Sequence, residues 1–197
     1  MKRPDSYHHG NLRQALLDAA RDLVHESGVE SLTLREVARR AGVSTGAPYH
    51  HFADKAELVY ALARQSLEQL DQASEAALIG IDAPREQLRA IGVAYVMFAV
   101  DHPADFRLMF RPEMGAPFNF ADPAKAPVLR ILLRVVEACR AEAGVQDDHR
   151  DAAAISAWSL VHGLAALLVD GPLFPLRNDR EQAYQLAVGI TNRLDVA

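Results

Sequence analysis

The chain has 197 residues, enough for one large domain or two small ones, and half of them are hydrophobic, so a sizeable core can form. A net charge of -5 argues against a nucleic-acid binder that is basic throughout, and leaves room for a local basic patch. The single cysteine, Cys139, excludes an internal disulfide and fits a reducing cytoplasm.

No apolar run follows the opening MKRPDSYHHGN, so no secretory signal is visible. Alternating apolar runs with hairpin turns are missing too, and the fold class expected is all-α. Helix starts recur instead. Asn11 with Gln14, Thr33 with Glu36, Asp54 with Glu57 and Asn178 with Glu181 each fit a capping box. The first helix is expected from Leu12 to Ser27, with Leu12, Leu16, Ala19, Ala20 and Leu23 on one face and Gly28 as its stop. The second runs from Leu34 to Ala41 and ends at Gly42. A short third helix starts after Ser44. A fourth, after Asp54, meets no Gly or Pro before Gly80 and is long enough to link two domains.

Beyond Gly80–Pro84, helices are expected over Arg85–Val100, Ala104–Phe110, Pro127–Ala143, Asp148–Val169 and Asp179–Leu194. A loop fills 111–124, and Asp170–Arg177 is a linker. The most apolar run, residues 155 to 169, is shorter than the roughly 20 residues of a bilayer span and reads as a buried helix.

Residues 33 to 52 have the length and chemistry of a helix-turn-helix. Gly42 allows the sharp turn and Ser44 caps the second helix. Leu34, Val37, Ala38, Val43, Pro48 and Phe52 can face inward, which leaves Thr45, Gly46, Ala47, Tyr49, His50 and His51 outside. Threonine can serve a base edge, an alanine methyl can meet a thymine methyl, and Tyr or His can bond phosphate. Lys55 opens the next helix, where an anion is favoured. Arg35, Arg39, Arg40 and Lys55 outnumber Glu36 and Asp54, and Lys2 and Arg3 can add a basic arm. Pro48 removes one N–H from a short helix, at a cost in stability. Spacing alone does not settle the matter, since helix pairs joined by a Gly turn also occur in proteins that never touch DNA. The pairs His8–His9 and His50–His51 lack the partners of a metal site, and neither a metal nor a cofactor is expected.

The run from His8 to about Ala63, centred on LTLREVARRAGVSTGAPYHHFADKAELVYAL, resembles the DNA-binding domain of the TetR family of bacterial transcriptional regulators. The resemblance rests on the capped second helix, the AGVS turn, the Tyr-x-His-Phe close and the following Lys. It implies a DNA-binding domain over 8–68 and a ligand-binding and dimerisation domain over 69–197, with about nine helices in all. Thr33, Arg35, Ser44, Thr45, Gly46, Ala47, Tyr49, His50, His51 and Lys55 then become the candidate DNA-binding residues. Pro48 departs from the aliphatic residue common at that position. Farther on, Trp158…His162-Gly163 and HPADFRLMF resemble the subgroup with a WHG-type C-terminal domain.

Residues 151 to 169 are apolar nearly all round, so one face is expected to meet a second copy, with Ala152, Ala153, Ala157 and Gly163 permitting close approach. Met97, Phe98, His102, Phe106, Met109, Phe110, Phe118, Phe120, Trp158 and His162 are candidates for an effector pocket, although each can equally be ordinary core. The implied function is that of a cytoplasmic homodimeric regulator on a palindromic duplex operator, a repressor released by a small-molecule effector and without a membrane partner. A small all-α enzyme or a lipid-carrying bundle is the alternative. It would need a reactive cluster, for which Asp101, His102 and Asp105 are the nearest candidates. A purely structural interaction module is a further rival.

Overall fold

A computed structural model describes residues 12–111 and 127–196. Asn11, the Lys2–Arg3 arm, the His8–His9 pair, Phe118, Phe120 and nearly all of the expected 111–124 loop lie outside them. All regular structure among the described residues is helical, in two compact units divided between Gln65 and Ser66.

The first unit holds α1 (Leu12–Ser27), a 3₁₀ turn (Val29–Ser31), α2 (Leu34–Arg40), a second 3₁₀ turn (Ala47–His50) and the start of α3 (Lys55–Ala77). The 3.6-residue period of α1 buries Leu16, Leu17, Ala19, Ala20, Leu23 and Val24 in one stripe. Gly28 ends it at φ 76, a conformation an L side chain resists. α2 contributes Leu34, Val37 and Ala38 to the same core.

The second unit contains the rest of α3 with α4 (Pro84–Asp101), α5 (Pro103–Met109), α6 (Pro127–Glu142), α7 (Arg150–Val169), α8 (Phe174–Arg177) and α9 (Arg180–Thr191). α4 is the central helix and packs against α6, α7 and α9. Its Gly92 makes the approach to α9 possible, since a Cβ there would sit 2.8 Å from Cγ2 of Thr191.

Two expectations shift here. The cap of the last helix is Asp179, whose Oδ1 accepts the Gln182 N–H at 3.0 Å, and not Asn178. The 170–177 linker contains one helical turn, α8, with Pro175 in its first turn where the missing N–H does no harm. α7 is long and apolar enough to span a bilayer by length and composition. It buries Ala154, Ala157, Val161, Leu164, Ala165, Leu168 and Val169 within the bundle.

Candidate nucleic-acid interface and bundle pocket

The turn after α2 is built by backbone bonds. Val43 N–H reaches Ala38 C=O at 3.0 Å and Gly42 N–H reaches Arg39 C=O at 3.2 Å, while Gly42 takes φ 70. This is the Schellman arrangement that satisfies the last carbonyls of a helix. At the other end of α2, Thr33 Oγ1 accepts the Glu36 N–H at 3.1 Å. Glu36 does not return the bond, because Arg39 occupies its carboxylate.

The expected third helix is a 3₁₀ turn. Pro48 has no N–H to give the Ser44 carbonyl, which takes Ala47 N–H instead at 3.0 Å. Tyr49 N–H likewise bonds Gly46 C=O, three residues back, at 3.2 Å. The cap is Gly46, without a side-chain bond, so Ser44 does not serve as the expected cap. Pro48 and Phe52 are buried beneath the turn, and the Arg13 guanidinium lies 5.2 Å over the Phe52 ring. Ser44, Thr45, Gly46 and His50 are exposed, Ala47 and His51 are half-buried, and Tyr49 is 60% exposed.

Electrostatics around the tip are leaner than the sequence suggests. Arg39 is paired with Glu36, one helical turn away. Arg40 is paired with Glu26 of α1, at 2.5 and 2.9 Å. Bonds from these arginines hold the Glu26 and Glu36 carboxyls below the usual range. The cationic surplus therefore rests on exposed Arg35 and on Lys55. Lys55 is itself half-buried and donates to the Glu30 carbonyl at 2.9 Å. The start of α3 is fixed by Asp54, which accepts Glu57 N–H at 2.9 Å, and by Glu57, which accepts Ala53 N–H at 2.7 Å.

In the second unit, α4 and α7 enclose a polar triad. Trp158 Nε1–H donates to the Tyr95 hydroxyl at 3.3 Å, and that hydroxyl lies 2.8 Å from Nδ1 of His162. The hydroxyl oxygen accepts from the indole and pairs with Nδ1, and whether the hydroxyl or Nδ1 donates in that pair follows from the imidazole tautomer. Burial pushes the His162 pKa down and the Tyr95 pKa up. Phe106 and Phe110 pack on the His162 ring at 5.5 and 4.5 Å between centroids. Beside the triad lies an apolar pocket, with Leu88, Ile91, Tyr95, Leu129, Leu132 and Trp158 among its walls.

Residues 16–62 match the family description "Bacterial regulatory proteins, tetR family", and residues 88–190 match "Tetracyclin repressor-like, C-terminal domain". The chain belongs to the TetR family. The HTH-type transcriptional regulator BetI of Agrobacterium fabrum is 38% identical over 89 residues, 45% of this chain and 42% of that protein, so the match spans less than half of that relative. The HTH-type transcriptional activator FasR of Mycolicibacterium smegmatis is 30% identical over 168 residues, 85% of this chain and 74% of FasR. A solved structure of a protein of unknown function from Rhodococcus sp. RHA1 superposes with a TM-score of 0.74 at 28% identity, covering 98% of this chain and 99% of that one.

The tip places Ser44, Thr45, Gly46, Tyr49 and His50 together on one exposed surface. Of the residues nominated for the bundle pocket, Trp158 lines it. Met97, Phe98, Phe106 and Met109 are buried core, and His102 is exposed with its ring 4.9 Å from that of Phe98. Phe110 and His162 belong to the aromatic cluster. Ala157 is buried in the bundle's own core and offers nothing to a second chain. Asp101 and Asp105 have separate tasks. Arg180 pairs with the first at 2.9 Å, and Ser66 donates to the second at 2.7 Å. Sequence reasoning missed Tyr95. The signal available was a tyrosine within an otherwise apolar helix, whose hydroxyl needs a partner once buried.

Proposed function

We infer that this TetR-family chain is a homodimeric, sequence-specific DNA-binding regulator that represses from its operator and is released when a small molecule fills the C-terminal bundle. The observation that carries this reading is the tip. A turn pinned from below by buried Pro48 and Phe52 presents Thr45, Gly46, Tyr49 and His50 outward. Small residues at its crest suit close approach to a major-groove floor, with Thr45 and Ala47 at base edges. Tyr49, His50, His51, Thr33, Arg35 and Lys55 then serve phosphates and fix the register.

Dimerisation is assigned to the outer face of α7. Helical spacing aligns Ala152, Ser156, Ser159 and Gly163 along one stripe, flanked by Ile155, Leu160 and Leu167, which are 43%, 38% and 43% exposed. A Cβ on Gly163 would meet nothing within 4 Å, so the groove at its centre is open. In a dimer the two tips read half-sites about 34–36 Å apart. The effector must bind the released arrangement more tightly than the DNA-bound one, or nothing shifts.

Fluorescence anisotropy on DNA fragments that the protein retains from its own genome tests this reading. Binding is expected to fall steeply with salt, because phosphate contacts release counterions. A complex indifferent to salt, or to Tyr49→Ala, ends the proposal.

A further inference from the structure

We propose that the bundle pocket selects uncharged, hydrocarbon-rich molecules carrying at most one neutral oxygen function, such as an ester or an alcohol, and turns away carboxylates and quaternary ammonium ions of the same length. This rests on the reading that the bundle holds an effector, and it names the chemistry of that effector.

The pocket holds about 510 Å³ of empty space, counting the part open to solvent. Its described walls are aliphatic or aromatic apart from three polar groups, on Ser74, Tyr95 and Trp158. Each of the three is already engaged. Ser74 Oγ donates to Leu70 C=O at 2.9 Å. The Tyr95 hydroxyl is engaged by His162 Nδ1 at 2.8 Å. Trp158 Nε1–H serves Tyr95 through the long member of the set, 3.3 Å. That indole N–H is the donor most readily turned to a ligand oxygen, since the bond it gives up is the weakest.

No charged side chain is among the described walls. Asp71, one turn before Ser74 on α3, is not a wall residue and accepts the Val128 N–H. A carboxylate entering the pocket would find no cation or cluster of N–H donors among the described walls. An ammonium would find no carboxylate. Burying an unpaired charge costs far more than burying a neutral ester or alcohol. His162 adds no compensating charge, because burial among aromatic rings favours its neutral form. The pocket thus discriminates by leaving charge unanswered, with shape secondary.

Trp158 is the only tryptophan in the chain and stands in the pocket wall, so its emission reports occupancy directly. The full chain is titrated at pH 8 with methyl octanoate, octanoate and octyltrimethylammonium, each below its micellar range. Methyl octanoate is expected to shift the emission saturably, with a half-saturation at least about tenfold lower than that of either charged probe. Leu132→Phe narrows the pocket and should weaken ester binding. Should that variant lose helicity, Ser74→Thr puts a methyl group in the same space. Equal affinity for a charged probe, no saturable response to the ester, or ester binding unchanged in a folded narrowed variant overturns the proposal. DNA retention is followed separately. An ester that binds without releasing DNA upholds the pocket chemistry and removes the effector reading instead.

Discussion

Trp158 and His162 stand one helical turn apart on α7 and both reach the hydroxyl of Tyr95, at 3.3 and 2.8 Å. The spacing of Trp158 and His162 is therefore that of two side chains sharing a partner on the facing helix. Tyr95→Phe keeps the ring and removes the shared oxygen, so two half-buried polar groups lose the hydroxyl they share. Unsatisfied groups of this kind cost about 1–3 kcal/mol. Urea unfolding is expected to show that loss with an unchanged dependence on denaturant.

His162 also sets a pH response. Its folded pKa lies below the ordinary value because burial disfavours the cation. The unfolded chain then binds a proton first as pH falls, so stability is full above about pH 6.5 and declines below it. His162→Gln lacks this term. The stability advantage of the natural chain over His162→Gln should be constant from pH 8 to 7 and shrink towards pH 5.5, as read by chemical denaturation.

Asp71 works in the opposite sense. Burial pushes its pKa from 3.8 to about 6, and its Oδ1 is buried without a hydrogen-bond partner. With a raised pKa the folded state holds the proton more tightly. The favourable contribution is complete below about pH 4 and is lost as pH rises through about 6. Asp71→Asn stays neutral throughout, so it should gain on the natural chain between pH 4 and pH 7 and then run parallel to it.

Features set by neighbouring residues were legible in the sequence, and features set by packing were not. Thr33 caps α2, Gly28 and Gly42 stop their helices, and Asp54 opens α3, because each depends on atoms within a few residues. The Asn178 cap moved one place because Asp179, beside it, accepts the same kind of bond. Pro48 was visible as a cost, yet its outcome depended on where the Ser44 carbonyl found a donor. Arg40 read as a free cation because Glu26 is fourteen residues away, and only the packing of α1 on α2 joins them. Tyr95 and the pocket walls likewise come from α4, α6 and α7 together. An aromatic stripe within one helix cannot show which of its members will border empty space.

The outer face of α7 supports a prediction about assembly. Leu160 is 38% exposed, and Leu160→Glu places a charge in the proposed seam. Sedimentation at micromolar concentration should show a dimer for the natural chain and a monomer for this variant, with equal helicity by circular dichroism. Ala157→Glu is the contrasting change. It is expected to unfold the bundle, because Ala157 is buried in the core.

Tyr49 and Phe52 lie three residues apart at the tip and should respond in opposite ways. Phe52 is 1% exposed and Tyr49 is 60% exposed. Truncating a buried phenylalanine to alanine typically costs about 3–5 kcal/mol, and Phe52 also carries the Arg13 contact. Phe52→Ala should therefore lower the unfolding midpoint of the first unit and weaken DNA binding together. An exposed substitution away from special geometry stays within about ±0.5 kcal/mol. Tyr49→Ala should leave unfolding unchanged and still weaken DNA binding. Because Tyr49 is assigned a phosphate contact through an uncharged hydroxyl, the loss should extend across operator variants and leave the salt slope unchanged. A loss confined to one base position would instead move Tyr49 from the phosphate backbone to a base edge.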